Sequence, residues 1–103
     1  MTSHSFERLN SKQRSARIYE IAGSMNDDAE QFLLSEFPVE RNLKGIAFGF
    51  VTVSWIIAIA LLEKGSKQAI EKRKELISGH WSGEETEDFR GYISKSPEIS
   101  KNF

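Results

Sequence analysis

Cysteine is missing from all 103 residues, which excludes a disulfide framework, a thiolate nucleophile and any cysteine-based metal site. Histidine is nearly missing too, with only His4 and His80. Zinc sites need three or four converging ligands. His80 precedes Trp81 and the acids Glu84, Glu85, Glu87 and Asp88, and one imidazole beside a solvated acidic run does not make such a site. The sequence lacks a phosphate-binding glycine loop, an H-E-x-x-H pair and a G-x-S-x-G elbow. Asp27-Asp28 reads as a helix cap rather than an acid/base pair. The expectation is therefore a protein that is not an enzyme, with no catalytic residues, no metal and no cofactor. Neither sign of charge dominates, since 14 basic residues face 15 acidic ones for a net charge of -1. No general pull towards nucleic acid follows.

Targeting signals are also scarce. The apolar run begins after 44 residues, too late for a secretory signal. Neither a myristoylation glycine nor a prenylation cysteine is present. Arg8, Lys12, Arg14 and Arg17, with five serines in the first 25 residues, have the flavour of a mitochondrial presequence, but Glu7 and Glu20 argue against it.

What the sequence does have is an uneven distribution of apolar residues. Residues 45–62 read GIAFGFVTVSWIIAIALL and hold no charge. The 44 residues before them carry six basic and seven acidic side chains, and the 41 after them carry eight of each. Eighteen uncharged residues reach the lower limit for a bilayer span, and a helix satisfies its own backbone groups in lipid. The reading is thus all-α: a single transmembrane helix continuing into a long extramembrane helix, with short flanking amphipathic helices and loose termini. The segments are 1–38, an N-terminal extramembrane helical part; 39–64, the transmembrane helix; 65–79, its charged extension; and 80–103, a tail with a short helix.

The flanks supply the local signals. Asn10 or Ser11 caps a helix that Gly23-Ser24 ends, and Asn26 or Asp27 caps a second that stops before Pro38. Phe32, Leu33 and Phe37 share one face of it, suited to a hairpin or a membrane surface. Pro38 suits the first turn of the next helix, and from there nothing stops the pattern until Gly79. A continuous helix over 39–78 runs to about 60 Å. Gly65 is the one weak point of the part that projects into water. Leu62, Ala69 and Leu76 repeat at seven, as do Ile70 and Ile77, a stripe for a partner or for the N-terminal helices. Ser82 caps a last short helix with Phe89, Tyr92 and Ile93 on one face.

Within the run, Gly45 and Gly49 form a G-x-x-x-G pair that lets helix backbones approach closely, with Thr52 the polar residue beside them. Trp55 lies near its middle, away from the interfaces that membrane tryptophans favour, so its indole packs on another helix, a lipid or a pigment. Gly45, Gly49, Thr52 and Trp55 are therefore the expected helix-packing residues. Lys44 is placed to snorkel to headgroups. Lys64, Lys67, Lys72, Arg73 and Lys74 outnumber Arg41 and Lys44 on the other side, which puts the C-terminal side in the cytoplasm or its equivalent.

These features suggest an accessory or structural subunit of a larger membrane complex, docked through its span on other membrane subunits and the lipid bilayer. Two further readings stay open: a small self-associating membrane regulator, dimerising through Gly45 and Gly49, and a soluble helical interaction module.

Overall fold

The computed structural model describes Phe6 and residues 8–103. His4 lies outside the described residues. Short polar side chains start most of the helices. Asn10 accepts from the Gln13 amide at 2.8 Å while the Gln13 side chain accepts from the Asn10 amide at 3.0 Å, a reciprocal cap for α1, Ser11–Gly23. Asn26 accepts from the Ala29 amide at 2.8 Å and opens α2, Asp27–Glu36, whose first turn carries Asp27, Asp28 and Glu30. Pro38 and Val39 lead into α3, Glu40–Lys44, so Pro38 precedes that helix instead of lying in its first turn.

The chain then departs from the expected long helix. Gly45 is extended, and Ile46–Phe48 (β1) pairs antiparallel with Val51–Thr52 (β2) across a turn at Gly49 and Phe50. Ile46 faces Thr52 and Phe48 faces Val51, with an irregularity between them. Gly49 has φ +54°, the left-handed region that glycine enters without a Cβ penalty. The residues around it are aromatic or β-branched (Ile46, Phe48, Phe50, Val51, Thr52, Val53), the types that favour a pleated surface over a helix.

Thr52 then caps α4, Val53–Lys64, by accepting from the Trp55 amide at 3.4 Å. Gly65 ends that helix in an extended conformation, where any Cβ would collide with the Leu61 carbonyl. Ser66 accepts from the Ala69 amide at 3.2 Å and starts α5, Lys67–His80. Ser82 does the same for α6, Gly83–Ile93, accepting from the Glu85 amide at 3.0 Å. Residues 94–103, expected to be loose, form α7, Pro97–Ser100, and a packed end at Phe103.

The 39–78 helix is thus three helices and a hairpin. At about 1.5 Å per residue, the 12 residues of α4 reach about 18 Å, short of a hydrocarbon core of about 30 Å. The longest dimension of the molecule is 32 Å, which leaves no room for a 60 Å rod. Among the described residues, no helix is long and apolar enough to cross a membrane. A half-buried hairpin and a largely buried helix, placed end to end, average to the same hydropathy as one spanning segment.

α4 is the centre of the molecule. Val53 to Ala58 and Ala60 to Leu62 are buried, and α1, α2, α3, α5 and α7 all pack against it. A helix apolar on every side must be surrounded. Here the surrounding helices each contribute a few side chains: Ile18 from α1, Leu33 from α2, Ala69 and Ile77 from α5, Phe89 and Ile93 from α6. Those stripes look thin singly, but α4 is short enough for them to close. Polar ties fix the packing. The buried Glu30 carboxylate accepts from both the Ser66 backbone amide and its hydroxyl, joining α2 to the start of α5. Asn42, fully buried, donates to the Glu36 carbonyl at 2.6 Å and to its carboxylate at 3.0 Å.

Candidate functional site

The hairpin and the start of α6 flank a cleft of about 550 Å³, lined by Phe50, Trp55, Ser82, Glu84, Glu85 and Asp88. Its floor is aromatic. The Phe50 ring meets Trp55 edge-on at 5.6 Å and Tyr92 at 6.0 Å. Trp55 in turn contacts Phe89 at 5.3 Å, Tyr92 at 5.7 Å and Trp81 at 6.1 Å. Each of these contacts adds about 0.5–1.5 kcal/mol beyond area burial, so the cluster is a firm base. Both indole N–H groups are satisfied. Trp55 Nε1 donates to Glu85 Oε2 at 2.9 Å, and Trp81 Nε1 donates to Ser54 Oγ at 3.2 Å.

The rim is acidic. Ser82 caps α6, so Glu84 and Glu85 fall in its first turn, where the helix dipole favours carboxylates. Glu85 is held by Trp55. Among the described residues no cation stands within ion-pair distance of Glu84, Glu85 or Asp88. On the other side stands a hairpin with apolar side chains in solvent. Ile46 and Phe48 alternate with buried Ala47 and point outward together, and Phe50 at the tip is 65% exposed.

The expected helix-packing set is dispersed by this fold. Gly45 and Gly49 do not share a helix face: Gly45 closes α3 and Gly49 forms the hairpin turn. A Cβ at Gly45 would collide with Ser11 Oγ and the Arg41 carbonyl, so its small size serves an approach to α1 within the molecule. Thr52 is a helix cap, and its hydroxyl lies 2.8 Å from Ser54 Oγ. Trp55, 3% exposed, packs on Phe89 and Tyr92 of its own chain.

The basic residues divide likewise. Lys64, Lys67, Lys72 and Lys74 are exposed, with Lys72 3.5 Å from Glu75 and Lys74 3.5 Å from Glu71. Lys44 pairs with Glu40 at 2.7 Å, which lowers the Glu40 carboxyl and raises the Lys44 amine. Arg73 differs. It lies between Ala69 and Ile77 on the inward stripe of α5 and is fully buried, unlike the exposed lysines on either side of it. Its i±4 spacing to two apolar residues was the available sequence signal, hidden in the Lys72-Arg73-Lys74 cluster.

The aromatic tip Phe48-Gly49-Phe50 also escaped the sequence reading, although an aromatic–glycine–aromatic triplet amid β-branched residues is a turn signal. His80 is exposed at the end of α5. Among the described residues no three His, Asp or Glu side chains stand close enough to hold a metal ion. Comparison with protein-family models, curated proteins and solved structures finds nothing that matches the chain.

Proposed function

We propose that the chain is a non-catalytic helical interaction module, a subunit that binds an extended segment of a partner protein at the cleft between the 46–50 hairpin and α6. The occupant is a Lys or Arg side chain flanked by apolar residues. One observation carries this reading: an exposed aromatic tip, Phe50, stands on Trp55 and Tyr92 beside the carboxylates of Glu84 and Asp88, which lack a cationic neighbour among the described residues. Aromatic faces attract cations by about 0.5–2 kcal/mol, and carboxylates accept charge-assisted hydrogen bonds from them. Ile46 and Phe48 give the flanking apolar residues a surface. An anionic lipid surface would be repelled by the same carboxylates.

Docking through a bilayer span is the competing reading set by hydropathy. It requires Ile56, Ile57, Leu61 and Leu62 to leave the core and the hairpin to rewind as helix. What supports the module is that this core is already closed by side chains of the same chain, whereas a span would break the Glu30–Ser66 and Trp55–Glu85 ties that hold it. A displayed peptide library panned against the purified chain tests the proposal. Enrichment of Lys or Arg next to apolar residues, lost in a Glu84→Gln/Asp88→Asn variant, is expected. Peptides without a cation, or binding indifferent to that variant, would overturn it. Membrane retention after carbonate extraction would return the span reading.

A further inference from the structure

α6 borders a second cavity. Glu84 and Asp88 face the cleft described above, while Thr86, Glu87 and Arg90 border a separate space of about 380 Å³ together with Arg73, Lys74 and Phe103. Three cations thus meet one acid there, and Glu87 is 3.6 Å from Arg90.

The centre of interest is Arg73. Its relative exposure is 0%, and burial of an arginine without a paired anion is rare and costly. Its Nη2 reaches the Asn102 carbonyl at only 3.4 Å, and its Nε and Nη1 are buried without a hydrogen-bond acceptor among the described residues. Nearby Glu71 favours the charge, but burial prevails and pulls the guanidinium down to about 10, so at neutral pH it remains cationic. The Phe103 ring provides the local cover: Arg73 Cζ lies 5.0 Å and Arg90 Cζ 4.8 Å from its centroid. That contact stabilises the charge but gives the N–H groups of Nε and Nη1 nothing to donate to. Asn102 holds this end of the chain in place, its Nδ2 donating to the Leu62 carbonyl at 3.1 Å.

A guanidinium presents its donors as a planar fork that fits a carboxylate or phosphate with two parallel hydrogen bonds. We infer that the cavity is an oxyanion site, in which Arg73 supplies the fork, Arg90 and Lys74 supply the flanking charge, and a turn of the Phe103 ring admits the ligand. The ligand group is a phosphate or a carboxylate, carried by a small molecule or by a partner. The site is independent of the aromatic cleft, and either can fail without the other.

Thermal unfolding in phosphate, acetate and chloride at equal ionic strength tests the inference. Phosphate or acetate is expected to raise the Tm with saturation, chloride is not, and the anion that acts tells a phosphate site from a carboxylate site. Arg73→Met should keep or raise the Tm without ligand, because a buried unpaired charge is removed, and should lower the anion's affinity more than about tenfold. Arg90→Gln, at an exposed position, should fold normally and weaken binding as well, and Phe103→Ala should tighten it. Equal effects of all three anions, or an anion affinity that is unchanged in Arg73→Met or in Arg90→Gln, would overturn the site.

Discussion

A Cβ at Gly49 would meet nothing within 4 Å, so the cost of replacing this glycine is conformational and not steric. At φ +54° that cost is about 1–2 kcal/mol for an ordinary L residue. Gly49→Val is expected to lose that much in urea unfolding, and Gly49→Asn to recover much of it, since asparagine tolerates the left-handed region. If Gly49 lay on a helix face instead, both substitutions would leave stability nearly unchanged or raise it. Tyr19 gives a pH test. Partial burial (Tyr19 is 57% exposed), then Tyr92 and Glu63, hold its phenol above the usual tyrosine range. A raised folded pKa stabilises the fold fully below the unfolded value and loses that contribution as pH rises through the folded one. Stability should therefore fall above about pH 10, and Tyr19→Phe should make the fall shallower in pH-dependent unfolding.

Helix starts were the most legible elements, because a cap is a local rule. Asn10, Asn26 and Ser82 stand where their side chains accept from amides three residues on. The hairpin was not legible, because its residues are as apolar as the helix that follows and only Gly49 and the β-branched neighbours mark the change. Gly65 was legible as a weak point, and the chain does break there, but the tie that fixes the break is remote. Glu30, 36 residues earlier, accepts from the Ser66 amide and hydroxyl. Glu30→Ala should cost about 1–3 kcal/mol, the usual range for orphaning a buried partner. Glu30→Gln, which keeps one acceptor oxygen, should cost less. Hydrogen exchange that quickens first at the start of α5 would locate the effect, and unchanged exchange there would refute the tie.

At the scale of the whole molecule, the sequence shows that helices dominate and that the uncharged stretch 45–62 calls for cover from water over much of its length. It does not show by what. Lipid and a ring of amphipathic helices satisfy an apolar segment equally well in a hydropathy profile. The choice rests on side chains distant in sequence, such as Ile18, Leu33, Phe89 and Ile93, that meet on α4. The candidate sites were less legible still. Glu84 and Asp88 read as a solvated run until the fold sets Phe50 and Trp55 beside them, and Arg73 reads as one cation of three until its neighbours close over it.

The uncharged stretch divides into an exposed hairpin and a buried helix. The chain has no cysteine, so single cysteines report on it without background. Phe50→Cys and Ala58→Cys, each treated with a membrane-impermeant maleimide in detergent-free buffer, make the most direct comparison. Rapid labelling is expected at position 50 and none at position 58 until urea unfolds the protein. Recovery of the chain only in membranes, with both positions shielded until detergent is added, would contradict that division.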